Sequence, residues 1–334
     1  MIGAGIYATM QRILITGGTG FVGPYLIRFL KSSDVKLIVV SPGETSIRDP
    51  EVDYCKADIR NSDDAGAVVR AANPNQIYHL AGMSSVRDSW NNPRLTFDVN
   101  VVGSFNIFEA AMGLPSPPRI LNVSTSQVYA RSDTALTETS PLDPDSPYAA
   151  TKAMAELLTV QYKNCTSGGI ITARAFNHTG PGQSPSFVLP SFAKQLAEME
   201  AGLIPPVLKV GNIEVKRDFT DVRDVVAAYH ELLNKARTGE IYNVCSGRAV
   251  LLADVLRELQ QNCSVAVKLE VDSARLRPIE APQMFGNLGK IQSETGWRPQ
   301  VPLESTLKEL LAYWRTKIQR DVADDSDALP ESLS

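Results

Sequence analysis

The segment Arg12 to Gly23, Arg-Ile-Leu-Ile-Thr-Gly-Gly-Thr-Gly-Phe-Val-Gly, restricts the fold more than any other stretch of the chain. An apolar run of strand length enters a turn with glycines at three-residue spacing and leaves it toward an amphipathic helix. Gly17 suits a tight turn off the strand. Gly20 suits close approach of the backbone to a pyrophosphate, and Gly23 suits close packing of the helix that follows. The helix start then offers free N–H groups to phosphate. The reading is a dinucleotide site, which a lone glycine triplet does not establish without support from the rest of the chain.

That support begins with alternation. Strands are expected at Ile13-Thr16, Lys36-Val40, Gln76-Leu80, Ile120-Ser124 and Ile170-Ala173. Helices are expected near Gly23-Lys31, Asp63-Ala72, Arg94-Met112 and Pro147-Asn164. Strand and helix in turn build an α/β fold, a Rossmann-type doubly wound parallel sheet. After Asn177 the connections become rich in Pro and Gly, which predicts a smaller C-terminal α/β lobe. Asp218-Leu233 reads as a helix and Ile241-Val244 as a strand short enough to return to the sheet. The expected division is a dinucleotide-binding domain over 11-177, with a return segment near 218-246, and a substrate lobe over 178-217 and 247-317. Residues 1-10 and 319-334 are expected to be flexible extensions, with Met10 the natural start.

The chain has 334 residues, 43% of them hydrophobic, and a formal net charge of -4. That is enough to bury a large core. Its Lys and Arg residues are scattered, which argues against nucleic acid or an anionic membrane as partner. No apolar run reaches the length of about 18 residues that a membrane span needs. Cys55, Cys165, Cys245 and Cys263 lack metal-ligand spacing, so no metal is expected, and reduced thiols in a cytoplasm are.

The chemistry is carried by two segments. Ser124-Thr125-Ser126-Gln127-Val128-Tyr129 ends the fourth expected strand, and Ser146-Pro-Tyr148-Ala-Ala-Thr-Lys152 opens a helix. Tyr148 and Lys152, four apart, share a helix face, so the ammonium is expected to lower the phenol pKa from near 10. Such a tyrosine serves as general acid or base. Thr125 would add a second hydrogen bond to the reacting oxygen. Tyr313 and Lys317 make the same pair, but with no hydroxyl-rich strand end or glycine loop for company, and read as helix surface.

In this order, Thr-Gly-Gly-Thr-Gly-Phe-Val-Gly, Ala57-Asp58-Ile59, His79-Leu80-Ala81-Gly82, Ser124-Thr125-Ser126, Tyr148 to Lys152 and Arg174-Ala-Phe-Asn177 resemble the extended short-chain dehydrogenase/reductases over nearly the whole chain. Phe176-Asn-His-Thr-Gly-Pro-Gly-Gln183, Arg217-Asp-Phe-Thr-Asp-Val-Arg-Asp224 and Arg277-Pro resemble most the GDP-6-deoxy-D-mannose reductases, and next the GDP-mannose dehydratases. The resemblance implies reduction of the 4-keto group of GDP-4-keto-6-deoxy-D-mannose to GDP-D-rhamnose, with Thr125, Tyr148 and Lys152 catalytic. It implies cofactor contacts from Gly17, Gly20, Phe21, Val22, Gly23, Asp58, Ile59, Leu80, Ala81, Gly82, Tyr148 and Lys152, with Asp58 on the adenine and Lys152 on the nicotinamide ribose. Ser84, Thr125, Gln127, Asn177, Lys194 and Glu280 fall at positions that hold the nucleotide sugar. A homodimer through a four-helix bundle, built from the helices near Arg94-Met112 and Pro147-Asn164, is also implied.

Chemical reasoning adds to the resemblance at three places. Sugar dehydratases of this type carry a Glu at the position of Gln127, and an amide cannot take the C5 proton, so elimination is disfavoured. Ala130 departs from the usual Gly. Val40-Ser41-Pro42 presents no acid to a ribose hydroxyl, and Arg48 could meet a ribose phosphate, which favours NADPH with NADH as the second choice. Arg217 and Arg277 have the guanidinium fork that suits a diphosphate. The readings left open are a GDP-mannose 4,6-dehydratase, another nucleotide-sugar epimerase or reductase including a 6-deoxy-talose-forming variant, and a cofactor-binding scaffold without chemistry.

Overall fold

The computed structural model describes residues 10–43, 49–165, 168–275 and 281–327. Arg48, Arg277 and Glu280 therefore lie outside the described residues, as do 1–9 and 328–334 of the expected extensions.

The first half winds as β1 (Gln11–Thr16), α1 (Val22–Leu30), β2 (Val35–Ser41), β3 (Val52–Lys56), α2 (Ser62–Ala72) and β4 (Gln76–His79). It continues through α3 (Val86–Asn91), α4 (Pro93–Phe97), α5 (Gly103–Met112), β5 (Arg119–Thr125), α6 (Pro147–Thr159) and β6 (Gly169–Ala175). The second half holds β7 (Asn177–Thr179), α7 (Val188–Glu200), β8 (Val207–Val210), β9 (Lys216–Arg217), β10 (Phe219–Asp221), α8 (Val222–Lys235) and β11 (Ile241–Val244). After these come β12 (Val250–Leu251), α9 (Leu252–Gln261), β13 (Lys268–Val271), β14 (Gln283–Met284), α10 (Gly289–Thr295) and α11 (Leu303–Asp327).

Seven strands form one sheet in the order β11-β6-β5-β4-β1-β2-β3, with every pairing parallel. The order reverses between β1 and β4, so a crevice opens at their carboxyl ends, where open sheets of this type take ligands. One sheet face packs on α1 and α8 through Leu26, Ile27, Tyr229 and Leu232. The other packs on α2 and α5 through Val69, Ile107 and Phe108. A separate core joins α7, α9 and α11 through Phe192, Leu256, Leu310 and Trp314. Among the described residues no helix is long and apolar enough to cross a membrane.

Several expectations shift. β3 was not anticipated: it is a five-residue edge strand ending in an exposed Lys56, too short and too polar to stand out. The helix expected over Asp218-Leu233 begins at Val222, because Phe219–Asp221 pairs with Asn177–Thr179 and the Asp221 carboxylate caps the helix by accepting from the Arg223 N–H at 2.7 Å. The helix expected over Arg94-Met112 is interrupted by a π-helical turn at Asp98–Val102. The extension expected to be flexible from 319 is helical through Asp327, and among the described side chains of α11 the last buried one is Ile318.

Candidate active site

Gly17 has φ +70, and a Cβ there would stand 2.6 Å from the Ala81 nitrogen, so the turn that ends β1 lies hard against the chain leaving β4. A Cβ on Gly23 would meet the Gly18 carbonyl at 1.9 Å, so this glycine closes the loop on itself rather than seating the helix on the sheet. Gly20 is exposed and a Cβ there would meet only the Gly17 oxygen, at 3.3 Å, which leaves the outer side of the loop clear. No side chain caps α1 and its first turn holds no acid, so its N–H groups remain available to a pyrophosphate. The residues present fit a dinucleotide.

Around this loop, Phe21 and Val22 are half-buried at the mouth of α1. Asp58 accepts from Arg60 Nε at 2.9 Å, which holds its carboxyl below the ordinary value. The Ile59 carbonyl accepts from Asn106 Nδ2 at 2.8 Å. Leu80 donates its N–H to the Thr16 carbonyl at 3.0 Å, and Gly82, exposed, faces both Asn100 and Lys152.

β5 delivers Thr125 to the carboxyl edge of the sheet, and α6 begins where Ser146 caps it by accepting from the Ala149 N–H at 3.2 Å. Tyr148 follows Pro147 in the first turn. Burial raises its phenol above the ordinary pKa, and a hydrogen bond with Thr125 opposes that rise. Lys152 is buried and donates to the Val123 carbonyl at 2.7 Å. Its own pKa is drawn down to about 8 by burial, against the pull of Glu156. The expectation that Lys152 draws the tyrosine below its ordinary pKa is thus corrected: burial dominates and the phenol stays above that value.

The same helix face carries Glu156, one turn further. Its carboxylate accepts from Ser124 Oγ at 2.5 Å and from Arg174 Nη2 at 2.6 Å, with both charged side chains buried. Asn100, which the sequence reading did not select, sits in the π-helical turn with its amide on both sides of Met83: Oδ1 accepts from the Met83 N–H at 2.8 Å and Nδ2 donates to its carbonyl at 3.2 Å. Nδ2 also donates to Thr151 Oγ1 at 3.0 Å. Such turns recur at functional sites, and a polar residue set among Val99, Val101 and Val102 was the available signal. His79 is likewise internal: Nδ1 meets Thr16 Oγ1 at 2.7 Å, Nε2 meets Ser104 Oγ at 2.9 Å, and burial draws it down to about 3, so it stays neutral.

The residues expected to hold the sugar nucleotide are less gathered. Gln127, half-buried, donates from Nε2 to Met284 Sδ at 3.4 Å. Ser84 is exposed, and the helix cap in that segment is the neighbouring Ser85, which accepts from the Asp88 N–H at 3.1 Å. Asn177 Nδ2 donates to the Asp218 carbonyl at 3.3 Å. Arg217 Nη1 donates to the carbonyls of Lys216 and Ala281 at 2.8 and 2.9 Å. Lys194 pairs with Glu198 at 2.7 Å on α7.

A doubly wound sheet with this loop and with Thr125, Tyr148 and Lys152 at its carboxyl edge defines an extended short-chain dehydrogenase/reductase. More narrowly, the family model described as GDP-mannose 4,6 dehydratase matches residues 14–310, and the chain belongs to that family. The GDP-6-deoxy-D-mannose reductase of Pseudomonas aeruginosa is 31% identical over 93% of this chain and 99% of its own length. A GDP-mannose 4,6-dehydratase of Vibrio cholerae is 25% identical over 90% and 93%. RMD from Pseudomonas aeruginosa complexed with NADPH superposes with a TM-score of 0.80 at 30% identity, covering 92% of this chain and 100% of that one. UDP-glucose 4-epimerase of Thermus thermophilus in complex with NAD gives 0.80 at 25%, covering 91% and 99%. The chain is an enzyme of nucleotide-sugar metabolism in an NAD(P)-dependent oxidoreductase class.

Proposed function

We propose that this enzyme uses NADPH, with NADH as the weaker alternative, to reduce the 4-keto group of GDP-4-keto-6-deoxy-D-mannose, giving GDP-D-rhamnose. The observation that carries the reading is the buried Tyr148, hydrogen-bonded to Thr125 and raised above its ordinary pKa, together with a half-buried amide rather than a carboxylate at Gln127. A reduction needs a proton donor at the C4 oxygen and no base at C5. The similarity to the Pseudomonas aeruginosa reductase supports the substrate, and the NADPH complex of RMD supports the cofactor.

The bound nicotinamide supplies the hydride. Tyr148 gives its phenolic proton to the C4 oxygen as charge develops there, and the Thr125 hydroxyl donates a second hydrogen bond to the same atom. Lys152 places a positive charge under the tyrosinate that remains, and Glu156 opposes loss of that charge. Gln127 donates hydrogen bonds from its amide without accepting a proton from carbon. Asn177, Arg217 and Lys194 are assigned to the nucleotide sugar.

Trp90, Leu95, Phe97, Met154, Leu157 and Val160 expose apolar surface on and just beyond α3, α4 and α6. That face supports a homodimer through a four-helix bundle, and Leu157→Glu should convert the dimer to monomer by light scattering.

The assay follows NADPH absorbance with GDP-4-keto-6-deoxy-D-mannose and identifies the sugar formed. Oxidation with GDP-D-rhamnose as product is expected. Loss of water from GDP-mannose without NADPH oxidation would make the protein a dehydratase, and a talose product would reverse the face of attack.

A further inference from the structure

From sequence, Arg48 is a candidate for the cofactor's ribose phosphate, and it lies outside the described residues. The described residues contain a different set of groups at the carboxyl end of β2. Ser41 is the last residue of β2 and Lys56 the last of β3, and the two are partners in the parallel register. Strand residues two apart share a face. Leu37 and Val39 of β2, with Val52 and Tyr54 of β3, pack into the core beneath α1, so Ser41 and Lys56 stand on that same side of the sheet. That is the side from which the glycine loop rises. The loop reaches this point: Thr19 Oγ1 donates to Ser41 Oγ at 3.3 Å, and the Gly43 N–H points at the same oxygen from 3.4 Å.

Lys56 is exposed and its ammonium forms no ion pair or hydrogen bond among the described residues. Its neighbours are differently placed. Lys36, at the opposite end of β2, is paired with Asp53 at 2.8 Å. Arg60 is bound to Asp58 through Nη2 at 2.5 Å and Nε at 2.9 Å. Asp58, the nearest acid in sequence to this strand end, is thereby neutralised. Among the described residues, the ends of β2 and β3 therefore present two hydroxyls, a backbone N–H and one uncommitted cation, where an enzyme selective for an unphosphorylated ribose presents a carboxylate.

We propose that Lys56, with Ser41 and Thr19, binds the 2′-phosphate of the adenosine ribose and sets the preference for NADPH over NADH. The inference rests on the nicotinamide-binding reading above. A phosphate dianion accepts from each of these donors, and the ammonium supplies the charge that a 2′-hydroxyl would not use. Placement on β3 rather than on the β2 loop explains why the sequence did not point to it: the register of two parallel strands, not a motif, brings Lys56 beside Ser41.

The test is equilibrium binding, read by the fluorescence of NADPH and NADH on titration and by calorimetry with 2′,5′-ADP and 5′-AMP. Lys56→Ala should weaken NADPH and 2′,5′-ADP by about tenfold or more, the usual scale for a hydrogen bond to a charged group, and leave NADH and 5′-AMP within about twofold. Ser41→Asp should favour NADH over NADPH by repelling the phosphate. Equal weakening of both cofactors by Lys56→Ala, no change in either, or a wild-type enzyme that binds NADH as tightly as NADPH would each overturn the assignment. Wild-type protein that binds neither cofactor would instead overturn the nicotinamide-binding reading itself.

Discussion

Helix α6 and the C-terminal helices α7 and α11 carry the same kinds of side-chain pair and put them to different ends. Tyr148 and Lys152 on α6 are buried at the carboxyl edge of the sheet, where burial shifts both groups and Thr125 and the Val123 carbonyl engage them. Tyr313 and Lys317 on α11 have the same spacing, yet Tyr313 lies against Trp314 and the exposed Lys317 ammonium sits 5.2 Å from that indole. Charge pairs divide likewise: Glu156 on α6 is sealed against Arg174, whereas Lys194 and Glu198 on α7 are 37% and 20% exposed. Spacing on a helix supplies the pair, and what the neighbouring strands bring to it decides whether the pair is chemistry or surface.

The largest effect expected from that contrast is on turnover. Tyr148→Phe removes the proton donor and should lower kcat by about 10²- to 10⁴-fold, the range for a lost general acid, while cofactor Kd stays within about twofold. Tyr313→Phe should leave both unchanged. A Tyr148→Phe enzyme with wild-type kcat would dissolve the difference between the two helices.

Stability separates the charge pairs next. Glu156→Gln leaves the Arg174 guanidinium buried without its anion, and breaking a buried pair in this way costs about 3–5 kcal/mol. Denaturant unfolding should show a loss of that size. A loss below about 1 kcal/mol, the scale of exposed pairs, would mean that water reaches Arg174.

The pH dependence sharpens the comparison within α6. Lys152 titrates near 8 because burial disfavours its charged form. The ammonium is therefore present below that pH and lost as pH rises through it. The kcat/KM profile of the reduction should fall on the alkaline side with an apparent pKa near 8, since that ratio reports groups of the free enzyme. Lys152→Arg should move this limb upward, because a guanidinium stays charged. An unmoved limb would assign the titration to another group.

How much of this was legible follows the same division. The glycine loop, the strand ends at Thr16 and Thr125 and the Tyr148–Lys152 helix are runs of adjacent residues whose spacing encodes their geometry, and each was found near its expected place. The direction of the Tyr148 shift was not legible, because it depends on burial, which is set by tertiary packing and is not local in sequence. Asn100 was missed because its role comes from a π-helical turn that brings its amide to Met83, seventeen residues earlier. Strand β3 was missed because an edge strand with one buried face has a weak pattern. In the C-terminal elements the expected ligands are scattered over β7, α7 and β9, and only long-range pairing such as that of Asn177 with Phe219 places them.

Lys194 provides the smallest and most exposed test of that division. Its family position favours a nucleotide-sugar contact, whereas its geometry on α7 is an i,i+4 ion pair with Glu198 at 2.7 Å and more than a third of the side chain in solvent. A pair of this kind on a helix contributes about 0.3–0.5 kcal/mol and is screened by salt. Lys194→Ala should therefore cost no more than this in unfolding free energy, and the loss should shrink as salt is raised. If the ammonium leaves Glu198 for a substrate phosphate, the same substitution raises KM for the sugar nucleotide by about tenfold, the scale of one charged hydrogen bond, with kcat unchanged because the contact is equal in ground and transition states. If it stays with Glu198, KM moves by less than about twofold. The first outcome would give α7 a share in the site and narrow its difference from α6, and the second would leave Lys194 with Tyr313 and Lys317 as helix surface.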